Sequence, residues 1–282
     1  MIIVKIKGGL GNQIFQYAFA RFLSIQKKAK VKIDNGINSN KQDTYREYGL
    51  KYFNITLELS SKNESLTTKY PLGIISKIIR GIQKISGIHN IGWNKNILNS
   101  KEKYLEGYWQ SYKYLEPIRD ILLKELTLKK TIETKYKNLL DQISNTDSVS
   151  IHVRRGDYAN DPKTKSIHQT FGLEYYQKAI ETVSEKISEP TFFIFSDDIE
   201  WVKQNLKIDF PTVYVSNPEI KDCEELIIMS KCKNNIIANS SFSFWGAWLN
   251  QNPNKIVIAP KKWNNRYTKE YKDLLPPEWI KI

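Results

Sequence analysis

Residues 1–34, MIIVKIKGGLGNQIFQYAFARFLSIQKKAKVKID, read as strand, helix and strand. The first seven alternate apolar and basic side chains, the period of a strand. Gly8, Gly9 and Gly11 then punctuate a turn. From Gln13 to Lys27, Ile14, Phe15, Ala18, Phe19, Phe22 and Leu23 recur at helical spacing, and residues 29–34 return to an extended pattern. A β-α-β opening implies a parallel pair, so the fold class is α/β with a parallel sheet.

Outward from this opening the chain changes character twice. Residues 35–69 are polar and weakly periodic, and predict loops and short helices. Over 71–91, Ile74, Ile75, Ile78, Ile79, Ile82 and Ile85 line one helical face, with Lys77, Arg80 and Lys84 among them. That pattern suits a core-facing helix with a solvated rim, and it would also suit a helix lying on a membrane surface. Residues 104–114, YLEGYWQSYKY, are dense in aromatics, and 117–140 predict one long helix or two. From 147 onward strands and helices alternate regularly, with strands at 147–153, 191–195, 212–215, 235–238 and 255–259. A domain boundary near Ser144 would divide the chain into 1–144 and 145–282, with the C-terminal tail able to pack back on the first domain.

The chain has 282 residues, room for about two domains of roughly 150 residues each. Its 40% hydrophobic and 26% charged residues exclude global disorder. Forty-three Lys and Arg against 30 Asp and Glu leave a net charge of +13, which calls for an anionic partner: a nucleotide, a nucleic acid or an acidic membrane. The basic residues are spread along the chain and no stacking motif for single strands occurs, which argues against nucleic acid. Two cysteines, Cys223 and Cys232, exclude a disulfide framework. The apolar start is too short for an export signal and no run of about 18 apolar residues occurs, so a cytoplasmic protein without a membrane span is expected. His89, His152 and His168 show no ligand spacing, and no metal site is expected. His152 lies inside a strand and reads as a satisfied structural histidine.

Four segments carry candidate chemistry. SIHVRRGDY (150–158) ends a strand in two arginines, where open parallel sheets bind ligands. Guanidinium forks suit phosphate, and the alternative is an ion pair between a strand-end arginine and Asp157. KGGLGNQIFQYA (7–18) places glycines and then Asn12 and Gln13 at a helix start. There Asn12 could bind a ligand or simply cap the helix. Gly9 and Gly11 resemble the start of a dinucleotide fingerprint, but Ile14 stands where its third small residue belongs, which argues against a nicotinamide dinucleotide. FFIFSDD (192–198) places Asp197 and Asp198 at the same sheet edge, as ligand acceptors or as a helix cap. NNIIANSSFSFWGAW (234–248) puts Asn239, Ser240, Ser241 and Ser243 at another helix start, a phosphate cradle without metal.

Taken in order, GGLGNQIFQYA, SIHVRRGDY, FIFSDD and ELIIMSKCKNNIIANSSFSFWGAWL, followed by VIAPKKW, resemble the bacterial α-1,2-fucosyltransferases of glycosyltransferase family 11. The resemblance spans nearly the whole chain. It departs from the family pattern at Asn234 and Phe244, both expected near the donor site. It implies a GT-B type glycosyltransferase with two Rossmann-like domains facing a cleft, the C-terminal one holding GDP-β-L-fucose and the N-terminal one the acceptor. The implied reaction is inverting, without metal or other cofactor, and places fucose on the 2-hydroxyl of a terminal galactose. Use of another nucleotide sugar is the alternative.

The same resemblance assigns roles residue by residue. Arg154 would bind the donor diphosphate and stabilise the departing GDP, and Arg155 would support it or pair with Asp157. Asp197 would read guanine or ribose, and Asn239, Ser240, Ser241 and Ser243 would surround phosphate. Asn12, with Gly11 and Gln13 in its loop, would face the fucose and the acceptor. The base would be His168, with Asp157 and Asp161 as alternatives and a phosphate oxygen in a dissociative route. The acceptor beyond galactose would be read by loops within 35–69 and 104–114. Bacterial members build O-antigen repeats on a lipid carrier, which would bring the enzyme to the membrane surface as a peripheral protein.

Overall fold

The computed structural model describes residues 1–36, 47–73, 75–77, 90–155, 172–264 and 269–282. They form two compact units, Met1–Thr127 with Lys269–Pro276, and Leu128–Thr268 with Pro277–Ile282. The division falls after Thr127, earlier than Ser144, and residues 269–276 return to the first unit. The helix at 137–145 goes with the second unit because Ile143 joins Phe193 and Phe195 in that unit's core.

In the first unit, β1 (Ile2–Lys5), α1 (Leu10–Gln26) and β2 (Val31–Asp34) follow the expected order. β1 is flanked by parallel partners on both sides, β2 and the two-residue β3 (Tyr104–Leu105), in the order β2-β1-β3. The helix starts at Leu10, not at Gln13, and Gly9 caps it without a side-chain bond. Asn12 is thus inside the first turn and is not the cap. Ile14, Phe15, Gln16 and Tyr17 are buried in succession, so α1 is wrapped on more sides than one apolar stripe would require. α2 (Lys62–Lys69) carries a complete capping box between Ser61 and Glu64. The 117–140 stretch yields α3 (Arg119–Glu125) in this unit and, past a break, α4 (Lys137–Asn145) in the second. Glu125 is buried against Tyr17, Arg21 and Thr56, which satisfy its carboxylate.

Among the described residues the second unit has six parallel strands: β4 (Asp147–Val153), β5 (Pro190–Ser196), β6 (Thr212–Tyr214), β7 (Asn234–Ile236), β8 (Val257–Ala259) and β9 (Ile280–Lys281). Their spatial order is β6-β5-β4-β7-β8-β9. Side-chain alternation sends Val149, Ile151, Val153, Phe192 and Ile194 to one face, against α5 (Leu173–Ser184) and α6 (Ile199–Asn205). Phe193 and Phe195 point to the other face, against α4 and α7 (Asp222–Lys231). Helices therefore cover both faces, and β5 is apolar on both from Phe192 to Phe195, whereas β4 and β7 bury polar residues, Ser148, Ser150, His152, Asn234 and Asn235. α8 (Ser241–Leu249) packs beside α7.

Asn234 begins β7, so it sits at the amino edge of the sheet, away from the ligand edge. Its side chain accepts from Ile256 N at 2.8 Å and pins β8. Phe244 is fully buried against Trp245 and Trp279. Both departures from the family pattern therefore serve packing. No helix among the described residues is long and apolar enough to cross a membrane. Most of the basic isoleucine-rich stretch, 74 and 78–89, lies outside the described residues.

α7 and α8 meet at Gly246, where an added Cβ would stand 2.4 Å from Met229 Sδ and 2.8 Å from its Cγ. Gly246→Ala should cost about 1–3 kcal/mol through overpacking, read as a thermal midpoint lowered by several degrees. An unchanged midpoint would mean that Met229 swings clear.

Candidate active site

In an open parallel sheet, ligands bind beyond the carboxyl ends of the strands, where the strand order reverses. In the second unit β4, β5 and β6 progress one way and β7, β8 and β9 the other, so the reversal lies between β4 and β7. The chain leaves β4 at Arg154 and leaves β7 toward Ser240 and the start of α8. Two tyrosines of α5 brace both exits. Tyr175 donates to Ile237 O at 2.6 Å, and Tyr176 hydrogen-bonds with the Arg154 backbone. Neither tyrosine was singled out in the sequence, though their adjacency at a helix start is the visible signal.

Arg154 Nη1 lies 2.8 Å from Asp197 Oδ2, and the other oxygen of Asp197 accepts from Arg155 N at 2.9 Å. Asp197 thus orients Arg154 from the end of the neighbouring strand. Asp198 is the cap of α6, accepting from Trp201 N, and it also takes Arg155 Nε at 3.3 Å. The Arg155 guanidinium lies over the Trp201 ring, 3.6 Å from its centroid. So Arg155 is drawn onto α6 by Asp198, the helix cap that follows β5. Asp157, Asp161 and His168 lie outside the described residues.

Around β7 the expected phosphate ligands divide. Ser240 caps α8 by accepting from Phe242 N, and Ser241 is half-buried in its first turn. Ser243 is fully buried, and its hydroxyl donates to Ala238 O and Ser240 O, so its proton is spent on the backbone. Asn239 is buried and donates to Trp263 O at 3.2 Å. Those two side chains build the turn, while Ser240 and Ser241 present the helix start.

In the first unit Asn12 Oδ1 accepts from Gln110 Nε2 at 2.7 Å. Gln13 is buried and donates to Gly8 O and Glu47 O while accepting from Gly49 N. Its carboxamide is a brace for the 47–49 segment. Gly11 is buried within α1.

Two further groups belong to the ligand edge. His152, in β4, is buried with its Nδ1 lacking a hydrogen-bond partner, its ring 5.6 Å from Phe242. It is therefore not the satisfied histidine that its strand position suggests. Burial lowers its pKa to about 4, aided by the Arg154 charge and opposed by Asp197, so it is neutral near pH 7. Glu225, on α7, accepts from Ser216 Oγ at 2.9 Å, and the Ser216 hydroxyl oxygen in turn accepts from Ser196 N. Burial raises its pKa to about 7, against the Ser216 bond and with help from Asp222 and Asp197.

The doubly wound sheet and its arginine edge define a nucleotide-type ligand site on a Rossmann-like unit. The glycosyl transferase family 11 model matches residues 88–282, and the chain belongs to that glycosyltransferase family. Over 286 residues it is 32% identical to "O-antigen biosynthesis glycosyltransferase WbnK" of Escherichia coli, spanning 92% of this chain and 93% of that one. It is 31% identical to an Escherichia coli "Alpha-1,2-colitosyltransferase" over 100% of this chain and 99% of the relative. Among solved structures, fucosyltransferase NodZ from Bradyrhizobium shares the fold, with a TM-score of 0.56, 13% identity, and 87% and 92% of the two chains covered. A second NodZ structure, soaked with GDP-fucose, gives a TM-score of 0.53 at 14% identity, covering 88% and 91%.

Glu225 makes stability depend on pH. The folded chain keeps its proton to about pH 7 and the unfolded chain loses it near 4.5, so this group destabilises the fold as pH rises through that window. His152 acts oppositely, withdrawing stability as pH falls from about 6.5 to about 4. Glu225→Gln should therefore melt higher than the parent at pH 8, with the difference vanishing near pH 4.5. A difference that does not change with pH would contradict the raised pKa.

Proposed function

We propose that the protein transfers L-fucose from GDP-β-L-fucose to the 2-hydroxyl of a terminal galactose, with inversion and without a metal. The observation that carries this reading is Arg154, held by Asp197 at the exit of β4 beside the start of α8. A leaving diphosphate needs positive charge and N–H donors at one place, and an arginine next to a helix N-terminus offers both. The relatives named for O-antigen biosynthesis and α-1,2 colitosyl transfer, and the NodZ structure soaked with GDP-fucose, support the donor and the linkage. An O-antigen repeat, with or without its lipid carrier, is the acceptor this favours.

In this reading Arg154 meets the diphosphate and Asp197 positions it. Ser240 and Ser241 add hydroxyl and backbone donors. His152, neutral and lacking a partner on Nδ1, offers a hydrogen-bonding atom without charge. Asn12 faces the acceptor side in the first unit. His168 takes the proton of the attacking hydroxyl, a role supported by its sequence position and by imidazole's ordinary range. The colitosyl relative, matched over the whole chain, makes a different transferred sugar the second reading. Rates with GDP-fucose against nucleotide-activated colitose separate the two.

Calorimetric titration with GDP in EDTA should show binding that Arg154→Ala weakens about 10- to 100-fold, the worth of one or two charge-assisted bonds. Unaltered affinity, or binding that EDTA abolishes, would refute the donor assignment. His168→Ala should lower kcat about 10²- to 10⁴-fold while GDP affinity stays the same. Near-parental turnover would remove His168 from the mechanism.

A further inference from the structure

The pairing of β4 with β7 ends at Ile151 and Ile236. Beyond those residues β4 keeps its other partner, β5, as far as Val153 and Ser196. On the β7 side the ladder no longer fixes how far apart the two exits stand. Those exits carry the charge and the helix start that a diphosphate would need, so their spacing matters.

Two phenols take over from the ladder. Tyr175 and Tyr176 are neighbours in the first turn of α5, their rings edge to face at 5.0 Å and 73°. Successive helical positions point about 100° apart, so the pair diverges from one place on the helix toward two strands. Tyr175 donates to Ile237 O at 2.6 Å, where the chain leaves β7. Tyr176 hydrogen-bonds with the Arg154 backbone, where the chain leaves β4. Both rings are buried. Further along α5, Ala179, Ile180 and Val183 seat the helix on the apolar face of the sheet. The helix is thus fixed to the core along its length and holds both exits by its first turn. A phenylalanine ring would fill either space, so the hydroxyls supply location more than burial. Burial pushes both phenol pKa values up, so neither bond titrates near neutral pH. What is located is charged: Tyr176 lies within electrostatic reach of Asp197, the carboxylate that holds Arg154.

We propose that Tyr175 and Tyr176 are positioning residues that set Arg154 against the start of α8, and thereby set how tightly this edge holds a nucleoside diphosphate. They act through the backbone at Arg154 and Ile237 and touch no reacting atom. The proposal rests on the donor reading above and adds to it the helix that holds both halves of the site.

The test is calorimetric titration of the full chain with GDP, on Tyr175→Phe, Tyr176→Phe and Tyr17→Phe. The last removes a buried hydroxyl bonded to Glu125 in the first unit, and serves as the control for lost stability alone. Tyr175→Phe and Tyr176→Phe should each weaken GDP binding about 3- to 10-fold, one hydrogen bond's worth passed on to the ligand. Tyr17→Phe should melt lower than the parent and bind GDP as the parent does. Arg154→Ala combined with Tyr176→Phe should bind GDP no worse than Arg154→Ala alone, because Tyr176 acts through Arg154. Parental affinity in Tyr175→Phe or Tyr176→Phe, where Arg154→Ala weakens binding, overturns the positioning role and leaves the donor reading standing. So does an equal weakening in Tyr17→Phe, which would make the tyrosines structural supports only, and so do losses that add in the double variant. A parent that binds no GDP overturns the donor reading and this proposal together.

Discussion

Strand β4 pairs on both sides, with β5 and with β7, and that single constraint arranges the ligand edge of the second unit. Because all three run parallel, their carboxyl ends share one edge. Because the chain moves away from β4 in both directions, no crossover helix covers the point between β4 and β7. Arg154 and the α8 start are brought together by sheet register, not by closeness in sequence. Buried bracing keeps that register: Asn235 donates to Ser150 on β4 and accepts from Asn250 beyond α8. A fully satisfied polar network of this kind tolerates no one-residue slip, since a slip would leave several buried amides without partners.

The electrostatics of the edge are poised for exchange, not for stability. Arg154 and Asp197 are each about one-quarter exposed, and an ion pair so placed contributes at most about 1 kcal/mol. A charge-assisted bond from arginine to an anion is worth about 1.5–3 kcal/mol, so a diphosphate can share Arg154 at small cost to the pair. Arg155 is anchored differently. Its stacking on Trp201 adds to the Asp198 contact, and it would have to leave both to reach a ligand. With His152 neutral, Arg154 and Arg155 stand paired with Asp197 and Asp198 among the described residues, and the chain's +13 supplies the wider field that draws an anion toward the edge.

Much of this was legible in the sequence because strong periodicity survives folding. The β1-α1-β2 opening and the alternation after 147 follow apolar spacing, and the arginines and acids sit where a strand pattern ends. What was illegible was two-body information. β3 and β9 are two residues each and carry no period. That Arg155 meets Asp198 depends on β4–β5 register. A serine or amide at a helix start looks the same whether its hydrogens face a ligand or its own backbone. Ser243, Asn239 and Gln13 turned inward because α8 and the 47–49 segment needed the bonds. Asn234 was misplaced for a simpler reason: motif membership does not tell which end of a strand a residue occupies.

Two of the buried polar atoms without a hydrogen-bond partner lie beside the reversals, one in each unit. His152 Nδ1 sits in β4 and Trp109 Nε1 just past β3. Each leaves a buried polar atom unpaired, a cost of about 1–3 kcal/mol that a chain selected only for stability would remove. Apolar substitutes of similar size would fit either place, since both rings already pack on aromatics, Phe242 and Phe19. Local violations of this kind, set in an otherwise consistent core, mark positions held for something other than folding.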